Sequence, residues 1–442
     1  MSESESEAAG RSALRKASLR LLPLIGLGYG LAYMDRINIS FAALQMNQDL
    51  GFSAAIYGVG GGVFFLSYAL CEIPSNLLLV RFGARRWIAR IMLTWGLLAA
   101  GMMFVRTPLE FYVMRFLLGA AEAGFFPGAV YYLAQWFPAE HRGRAISRFY
   151  VAFPLSTIVM GAVAGALLNL KGVLGLAGWQ WLFLAEGLPA VLLAGVVLVT
   201  LPDRPADAPW LDPAEKRWLA ARLPAQTAAG AAHIQGDGGV LAALRNPLVL
   251  LLGLVNLCFI GSSYAFTLSA PTILKGATGL GVTGVGYLVA AAGVVGAVTM
   301  IANGWLSDRR RERFVHTAVP LAVVAAAYLA LARAGLPPGL VMLAYVAVVA
   351  GTTAMQGVFW AIPSSLLHGR AGAVGIAAIN TIGMIGSFVS PMIWGVLRDR
   401  TGGYALGLTL LPIPVLAAAG IVLMLGRRAR LVEGAAVVAG VD

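Results

Sequence analysis

Charged residues are scarce in this sequence: they make up 12% of its 442 residues, against about a quarter of an average soluble chain. Cysteine occurs only as Cys71 and Cys258, both in apolar stretches, which predicts free thiols rather than a disulfide framework. The four histidines lack the spacing of metal ligands, and no Gly-x-x-x-x-Gly-Lys-Ser/Thr loop is present for nucleotide phosphates. These absences argue against a metal or other cofactor, an ATP-driven pump and a membrane enzyme with clustered catalytic groups.

Apolar residues are abundant instead: 59% of the chain is hydrophobic and the mean hydropathy is +0.80. They occur in blocks of about 20 residues or more, long enough to cross ~30 Å of hydrocarbon as helices. Strict alternation, which marks barrel strands, is missing. The sequence therefore predicts an all-α integral membrane protein with twelve transmembrane helices at 19–45, 53–80, 86–105, 108–137, 141–169, 178–201, 246–275, 281–307, 313–334, 338–366, 371–397 and 403–426.

The spans fall into two sets of six, separated by a polar stretch. We expect a tail at 1–18 that is disordered, a six-helix bundle at 19–201, a linker at 202–245, a second six-helix bundle at 246–426 and a tail at 427–442. Basic short loops recur at matching places in both halves, which is typical of a duplicated, pseudo-symmetric protein.

Lysine and arginine are distributed unevenly between the loops. If both termini are cytoplasmic, 24 of the 32 Lys and Arg residues lie in cytoplasmic segments and six in outer loops. This bias predicts cytoplasmic termini. It also explains the net charge of +12 through contacts with anionic lipid head groups, so nucleic-acid binding is not expected.

Residues 304–310 contain a Gly and then the pair Asp308-Arg309, whereas the corresponding first-half loop around Arg85 keeps the Gly and arginines but lacks the Asp. The segment 304–310 resembles the loop signature of the major facilitator superfamily. The sequence segments 33–38, 72–77, 115–128 and 178–181 are most similar to those of the anion:cation symporter branch of this superfamily. That branch includes carriers of tartrate, sugar acids, phthalate and hydroxyphenylacetate.

The resemblance implies a symporter of the bacterial inner membrane that imports a small organic acid anion by alternating access. Its partners would be the carboxylate substrate, protons and membrane lipids, and a monomer is the default for this fold. Sodium in place of the proton, and an exporter of drugs or metabolites with the same fold, remain open. So does the choice among a tartrate-like dicarboxylate, a sugar acid and an aromatic acid.

Six charged residues within the apolar spans are candidates for a function, because charged residues inside membrane helices are costly and rare. Arg36 and Arg115 are both far from the span ends, so each is expected to face a polar cavity and to hold a substrate carboxylate through paired hydrogen bonds. The alternative is that each arginine is permanently paired with a buried acid. The full set is Asp35, Arg36, Glu72, Arg115, Glu122 and Glu186.

Two of the acids are candidates for proton coupling. Glu122 follows Arg115 by seven residues, two turns along the same helix face. Burial favours a protonated carboxyl group and a nearby cation favours an ionised one, so a carboxyl group under both influences can exchange a proton. The family resemblance assigns proton handling to Asp35 and Glu122, and substrate binding to Arg36 and Arg115.

The remaining candidates have weaker support. Glu72 and Glu186 are predicted to be structural, with Glu72 pairing with loop arginines in a gate that also includes Arg85, Asp308 and Arg309. Neutral polar and aromatic side chains would complete the substrate site or simply pack: these are Tyr33, Tyr68, Asn256, Tyr264, Trp360 and Asn380.

Overall fold

The computed structural model describes residues 3–223, 245–366 and 369–438, and every regular element within these ranges is helical. Nine α-helices belong to the first range: α1 (Glu3–Asp49), α2 (Ala54–Phe82), α3 (Ala84–Gly101), α4 (Pro108–Glu122), α5 (Phe125–Ala134), α6 (Ala139–Tyr150), α7 (Ala152–Leu168), α8 (Gly178–Thr200) and α9 (Pro213–Arg222). Eight follow: α10 (Pro247–Thr278), α11 (Val282–Arg310), α12 (Phe314–Leu331), α13 (Pro338–Phe359), α14 (Ala361–Leu366), α15 (Gly369–Thr401), α16 (Ala405–Leu410) and α17 (Pro412–Val438).

Twelve helical stretches of the described chain are long and apolar enough to cross a membrane. They correspond one to one with the twelve predicted spans, which confirms the all-helical membrane fold class. Most ends agree within a few residues, because the polar loops that stop each apolar run also end the helix. The exception is the first span, which begins at Glu5 rather than at residue 19.

Four of the predicted spans are interrupted helices. The fourth span divides into α4 and α5 at Ala123 and Gly124, where Gly124 adopts a φ of 87° that side chains rarely tolerate. A Cβ at Gly124 would also lie only 2.4 Å from the Ser75 hydroxyl oxygen. The break therefore depends on glycine, and it places Glu122 at the very end of α4.

The described chain divides into two compact units. The first contains residues 1–38, 66–157 and 167–235, and the second contains 39–65, 158–166 and 236–442. Their boundaries fall inside α1, α2 and α7, so the bundles expected at 19–201 and 246–426 stay a prediction.

Glycine allows close helix contact within each unit. In the first unit, a Cβ on Gly187 of α8 would lie 2.5 Å from the backbone nitrogen of Ala100 on α3. In the second unit, a Cβ on Gly58 of α2 would lie 2.2 Å from the carbonyl oxygen of Pro391 on α15. Glycines such as Gly187 and Gly58 thus allow close backbone packing between helices.

The N-terminal segment contradicts the expectation of a disordered tail. Helix α1 starts at Glu3, and its first turns pack on α9, the short helix in the linker. Gly10 lies against the indole of Trp218, where a Cβ would come within 2.3 Å of a ring atom. The ammonium group of Lys16 lies 3.0 Å from carboxylate oxygens of both Asp212 and Glu215. Sequence reasoning missed this because the partners are about 200 positions apart.

Some expectations concern residues that the structure does not describe. These are His233 and His368, together with the parts of the predicted tails and linker at 1–2, 224–244 and 439–442.

Candidate functional site

The charged residues of the spans gather inside the first unit. Asp35 and Arg36 lie in the middle of α1, and their side chains diverge because successive helix residues point about 100° apart. Asp35 is 1% exposed and accepts a hydrogen bond from Asn38, one turn further along α1. Arg36 turns instead to Glu122. The two neighbours on α1 therefore belong to two different interaction networks.

Arg36 and Glu122 form a buried ion pair. The Nε atom of Arg36 donates to Oε1 of Glu122 over 2.7 Å, and a terminal nitrogen lies 2.6 Å from the same oxygen. The Glu122 side chain is 0% exposed and the Arg36 side chain is 13% exposed. The second oxygen of Glu122 is buried without a hydrogen-bond partner. The sequence indicated separate roles for the two residues, with pairing to a buried acid as the alternative for Arg36. The structure contains that pair.

The Arg36 guanidinium also lies over an aromatic ring. Its central carbon is 4.7 Å from the centroid of Tyr68 on α2, a distance at which the ring face attracts a cation. Tyr33, one turn before Arg36, is half-buried and packs edge-on against Phe153 with the ring centroids 4.2 Å apart. Tyr68 therefore contacts the predicted site directly, whereas Tyr33 lies beside it with an aromatic neighbour.

Arg115 lies on α4, two turns before Glu122, and is 1% exposed. It is within electrostatic reach of both Asp35 and Glu122. Arg36, Arg115, Asp35 and Glu122 are thus brought together in one unit, although they come from only two helices. A group of two cations and two acids can rearrange its pairing when a proton or an outside carboxylate enters.

A second network extends from Asp35 to α8. The side-chain amide nitrogen of Asn38 donates to Oδ1 of Asp35 over 3.3 Å and also to a carboxylate oxygen of Glu186. All three residues are buried, with exposures of 1% for Asp35, 0% for Asn38 and 2% for Glu186. Sequence reasoning did not select Asn38 and assigned Glu186 a structural role. The available signal was that Glu186 is an isolated acid in an apolar span. The sequence could not connect this acid to Asp35.

The other candidate substrate residues belong to the second unit. Asn256 on α10 is 1% exposed and donates to the carbonyl oxygen of Ile379 on α15 over 3.1 Å. Tyr264 packs against Phe65, with ring centroids 4.3 Å apart. These contacts are equally compatible with packing, and the substrate role of both residues stays a prediction.

Trp360 and Asn380 are both half-buried in the second unit. Trp360 lies at the break between α13 and α14 and packs edge-on against Phe359, with ring centroids 5.3 Å apart. Asn380 lies within α15. Part of each side chain is accessible, as a substrate contact would require. The substrate role of both residues stays a prediction.

The predicted gate residues have local partners. In the first unit, the backbone nitrogen of Arg85 donates to Asp203 over 2.9 Å, and its side chain lies 3.6 Å from the same carboxylate. In the second unit, Asp308 lies 3.4 Å from Arg313, and Arg309 lies over the ring of Trp305 at 5.2 Å.

Glu72 has a different neighbour from the expected loop arginines. No ion pair of Glu72 occurs in the described part of the chain, and the cation within its electrostatic reach is Arg36. Glu72 also lies one turn after Tyr68 on α2, on the side that faces Arg36. The expected pairing of Glu72 with loop arginines is therefore not found in the structure. Glu72 instead borders the cluster of Asp35, Arg36, Arg115 and Glu122.

No group of His, Cys, Asp and Glu side chains suited to hold a metal ion occurs among the described residues. The cluster in the first unit consists of guanidinium groups, carboxyl groups and a tyrosine ring. Such groups can bind carboxylates and protons.

Comparison with known proteins supports this fold and class. The family model described as Major Facilitator Superfamily matches residues 25–391. An Agrobacterium vitis protein named "Putative tartrate transporter" is 43% identical over 416 residues, which cover 94% of this chain and 91% of that protein. A "Quinolone resistance transporter" of Acinetobacter baumannii is 39% identical and covers 92% of this chain and 93% of its own length.

A solved structure confirms the fold independently. The bacterial homolog of the human lysosomal transporter Spinster, in an inward-facing and occupied conformation, superimposes with a TM-score of 0.74 at 18% identity, covering 92% of this chain and 96% of that one. The family-model match and the names of these relatives identify a multi-pass membrane transporter rather than an enzyme.

Proposed function

This chain belongs to the Major Facilitator Superfamily, and we propose that it is a proton-coupled symporter that imports a small organic acid anion by alternating access. The observation that carries the proposal is the buried ion pair between Arg36 and Glu122. A guanidinium that already holds a carboxylate in the membrane interior can exchange it for the carboxylate of a substrate.

The pair links the proton to the substrate. Protonation of Glu122 removes its negative charge and frees Arg36 for the incoming carboxylate. Leaving a buried charge without its partner costs about 3–5 kcal/mol, so a protonated but empty transporter is disfavoured. A substrate that binds while Glu122 is still ionised is disfavoured as well, because two carboxylates would then compete for one guanidinium. Proton and acid therefore bind together, which is what symport requires.

The neighbouring groups have supporting roles in this proposal. Arg115 attracts the substrate anion from α4, and Asp35 provides a second carboxyl group for protons. The ring of Tyr68 holds Arg36 in place through its contact with the guanidinium group, and Tyr33 forms a wall of the site. Asn256, Tyr264, Trp360 and Asn380 of the second unit would contact the rest of the substrate.

The relatives favour a tartrate-like dicarboxylate, with sugar acids and aromatic acids as the alternatives. The distribution of Lys and Arg favours cytoplasmic positions for both termini. The proposal places the protein in the inner membrane of a bacterium and takes a monomer as its working form, as the family resemblance implies. Sodium is the alternative coupling ion, because a carboxylate can bind either cation.

Export of a drug is the second candidate function, because a relative at 39% identity is named for quinolone resistance. Arg36 and Arg115 argue against a cationic cargo, since two guanidinium groups repel a cation. Quinolones carry a carboxylate, however, and could use the same arginines. Direction of transport and cargo must therefore be measured together.

The test is uptake into proteoliposomes with an imposed proton gradient, acid outside. Labelled tartrate, galactonate and hydroxyphenylacetate are compared for wild type, Arg36→Ala and Glu122→Gln. We expect accumulation of one acid that is lost in Arg36→Ala and uncoupled from the gradient in Glu122→Gln. Uptake that is unchanged in Arg36→Ala would refute the carboxylate site, and uptake driven by a sodium gradient alone would refute proton coupling.

A further inference from the structure

Glu186 is a buried acid that the proposed mechanism does not use. It lies on α8, one residue before Gly187, where α8 makes its close contact with α3. Its side chain is 2% exposed. One carboxylate oxygen accepts a hydrogen bond from Asn38, and the other is buried with no hydrogen-bond partner among the described residues. Such an acid requires a physical explanation, because buried polar atoms are normally paired.

Within the described part of the chain, Glu186 has no cation that pairs with a negative charge, because none of the ion pairs there includes it. The charged group within its electrostatic reach is another acid, Asp35. An ionised carboxylate in this position would be desolvated, attached to one neutral donor and repelled by its neighbour, which is an unfavourable combination. A bound proton removes the charge, and with it the cost of desolvating that charge and the repulsion from Asp35.

The surrounding helices do not change this conclusion. The charged residues of α3 are Arg85, Arg86 and Arg90, which precede the contact at Gly96 by at least six positions. On α1, Arg36 is engaged with Glu122, which lies on α4.

The two acids near Asn38 differ in their surroundings. Glu122, Arg115 and Arg36 are within electrostatic reach of Asp35, whereas neither arginine is among the groups that act on Glu186. Because Arg36 is paired with Glu122, Arg115 is left to stabilise a negative charge at Asp35, and Glu186 is the better place for the proton.

Asn38 makes the two acids depend on each other. Its single amide nitrogen donates to both carboxyl groups, so the strength of each hydrogen bond depends on the charge at the other end. Two acids that interact this closely titrate as one pair, in two steps that belong to neither residue alone. When Asp35 gains a proton during transport, its negative charge no longer repels a negative charge on Glu186. The affinity of Glu186 for its proton therefore falls.

We propose that Glu186 is a third proton-binding carboxyl group of this transporter, coupled to Asp35 through Asn38. The inference rests on the proposed proton handling at Asp35. It adds a site that neither the resemblance nor the charged cluster of Arg36, Arg115 and Glu122 requires. The number of protons that the protein exchanges per cycle would then depend on Glu186 as well.

The test uses infrared difference spectra of the purified protein in lipid, recorded across a pH titration. A buried protonated carboxyl group gives a separate C=O absorption, so no substrate is needed. Glu186→Gln keeps the size of the side chain and an oxygen that can accept from Asn38. We expect this variant to lose one titrating C=O band, and the remaining band of Asp35 to titrate in a single step at a shifted pH.

Two further variants complete the test. Glu140→Gln removes an exposed acid on α6 and should leave the spectra unchanged. Glu186→Asp keeps an ionisable group and should keep two coupled steps; it also serves if Glu186→Gln does not fold. Wild-type and Glu186→Gln spectra that superimpose would overturn the proposal.

A transport measurement separates this proposal from the proposed function. In proteoliposomes, Glu186→Gln should change the ratio of protons to acid, determined from the membrane potential at which net flux reverses, whereas Glu140→Gln should not. Absence of acid uptake in wild type would refute the proposed function and leave the infrared result standing. Normal uptake with an unchanged ratio and unchanged spectra in Glu186→Gln would refute only the role of Glu186.

Discussion

Replacing Arg36 with lysine tests whether the shape of the guanidinium matters in addition to its charge. Arg36 presents two nitrogens to Oε1 of Glu122, at 2.6 and 2.7 Å, and stacks over the Tyr68 ring at 4.7 Å. Lysine retains the positive charge but has a compact ammonium group that cannot present a planar fork and stack at the same time. Arg36→Lys should therefore weaken the site without abolishing it.

The magnitude follows from the lost contacts. One hydrogen bond to a charged group is worth about 1.5–3 kcal/mol. A cation–aromatic contact adds about 0.5–1 kcal/mol where the cation keeps some exposure to solvent, and the Arg36 side chain is 13% exposed. The sum corresponds to a loss of affinity of roughly 30- to 1000-fold, since ~1.4 kcal/mol is tenfold. Part of the loss of substrate affinity is offset, because lysine also binds the competing carboxylate of Glu122 less strongly. We therefore expect a rise of about 10- to 100-fold in KM.

The assay is acid uptake in proteoliposomes as a function of substrate concentration, with Arg86→Lys as the matched control. Arg86 is an exposed arginine near the start of α3, so the same change from guanidinium to ammonium should leave KM there within about threefold of wild type. An Arg36→Lys variant with an unchanged KM would show that charge alone suffices. A variant as inactive as Arg36→Ala would show that the ammonium group cannot replace the guanidinium at all, and either result refutes the reasoning.

Two glycine substitutions test the fold that positions the site. Gly124→Ala forces a side chain into a φ of 87° and against Ser75, so it should lower the free energy of unfolding by about 1–3 kcal/mol and lower the melting temperature in detergent; an unchanged melting temperature would contradict the need for glycine at the break. Gly10→Ala pushes against Trp218 and should release the start of α1, seen as faster trypsin cleavage near the N-terminus; unchanged cleavage would mean that the segment does not depend on this contact. Gly26→Ala is the control for both, because its Cβ would meet open space.

The membrane spans could be predicted because hydropathy is a local property. Each apolar run and the polar loop that ends it are visible within about 30 residues, and eleven of the twelve spans begin and end close to the predicted positions. The breaks were not visible: Gly124 looks like any other glycine in a span until its backbone angle is known. The docking of Gly10 on Trp218 was missed because a tail rich in Ser and Glu does not indicate its distant partner.

The candidate site shows the same limit. Isolated charges in apolar spans pointed to Asp35, Arg36, Arg115 and Glu122, since such residues are rare without a function. Sequence could not show that Arg36 and Glu122 form a pair across 86 positions, and it therefore assigned them to separate partners. Substrate contacts in the second unit depend on geometry that neutral side chains do not reveal in a sequence.

Proton uptake during substrate binding tests most directly whether Arg36 exchanges the carboxylate of Glu122 for that of the substrate. Binding of the transported acid is measured by calorimetry in two buffers with different ionisation enthalpies, and the difference gives the number of protons taken up. The exchange predicts that wild type takes up one proton more than Glu122→Gln, whose uncharged amide already leaves Arg36 available. Equal proton uptake by wild type and Glu122→Gln, with binding intact in both, would contradict it.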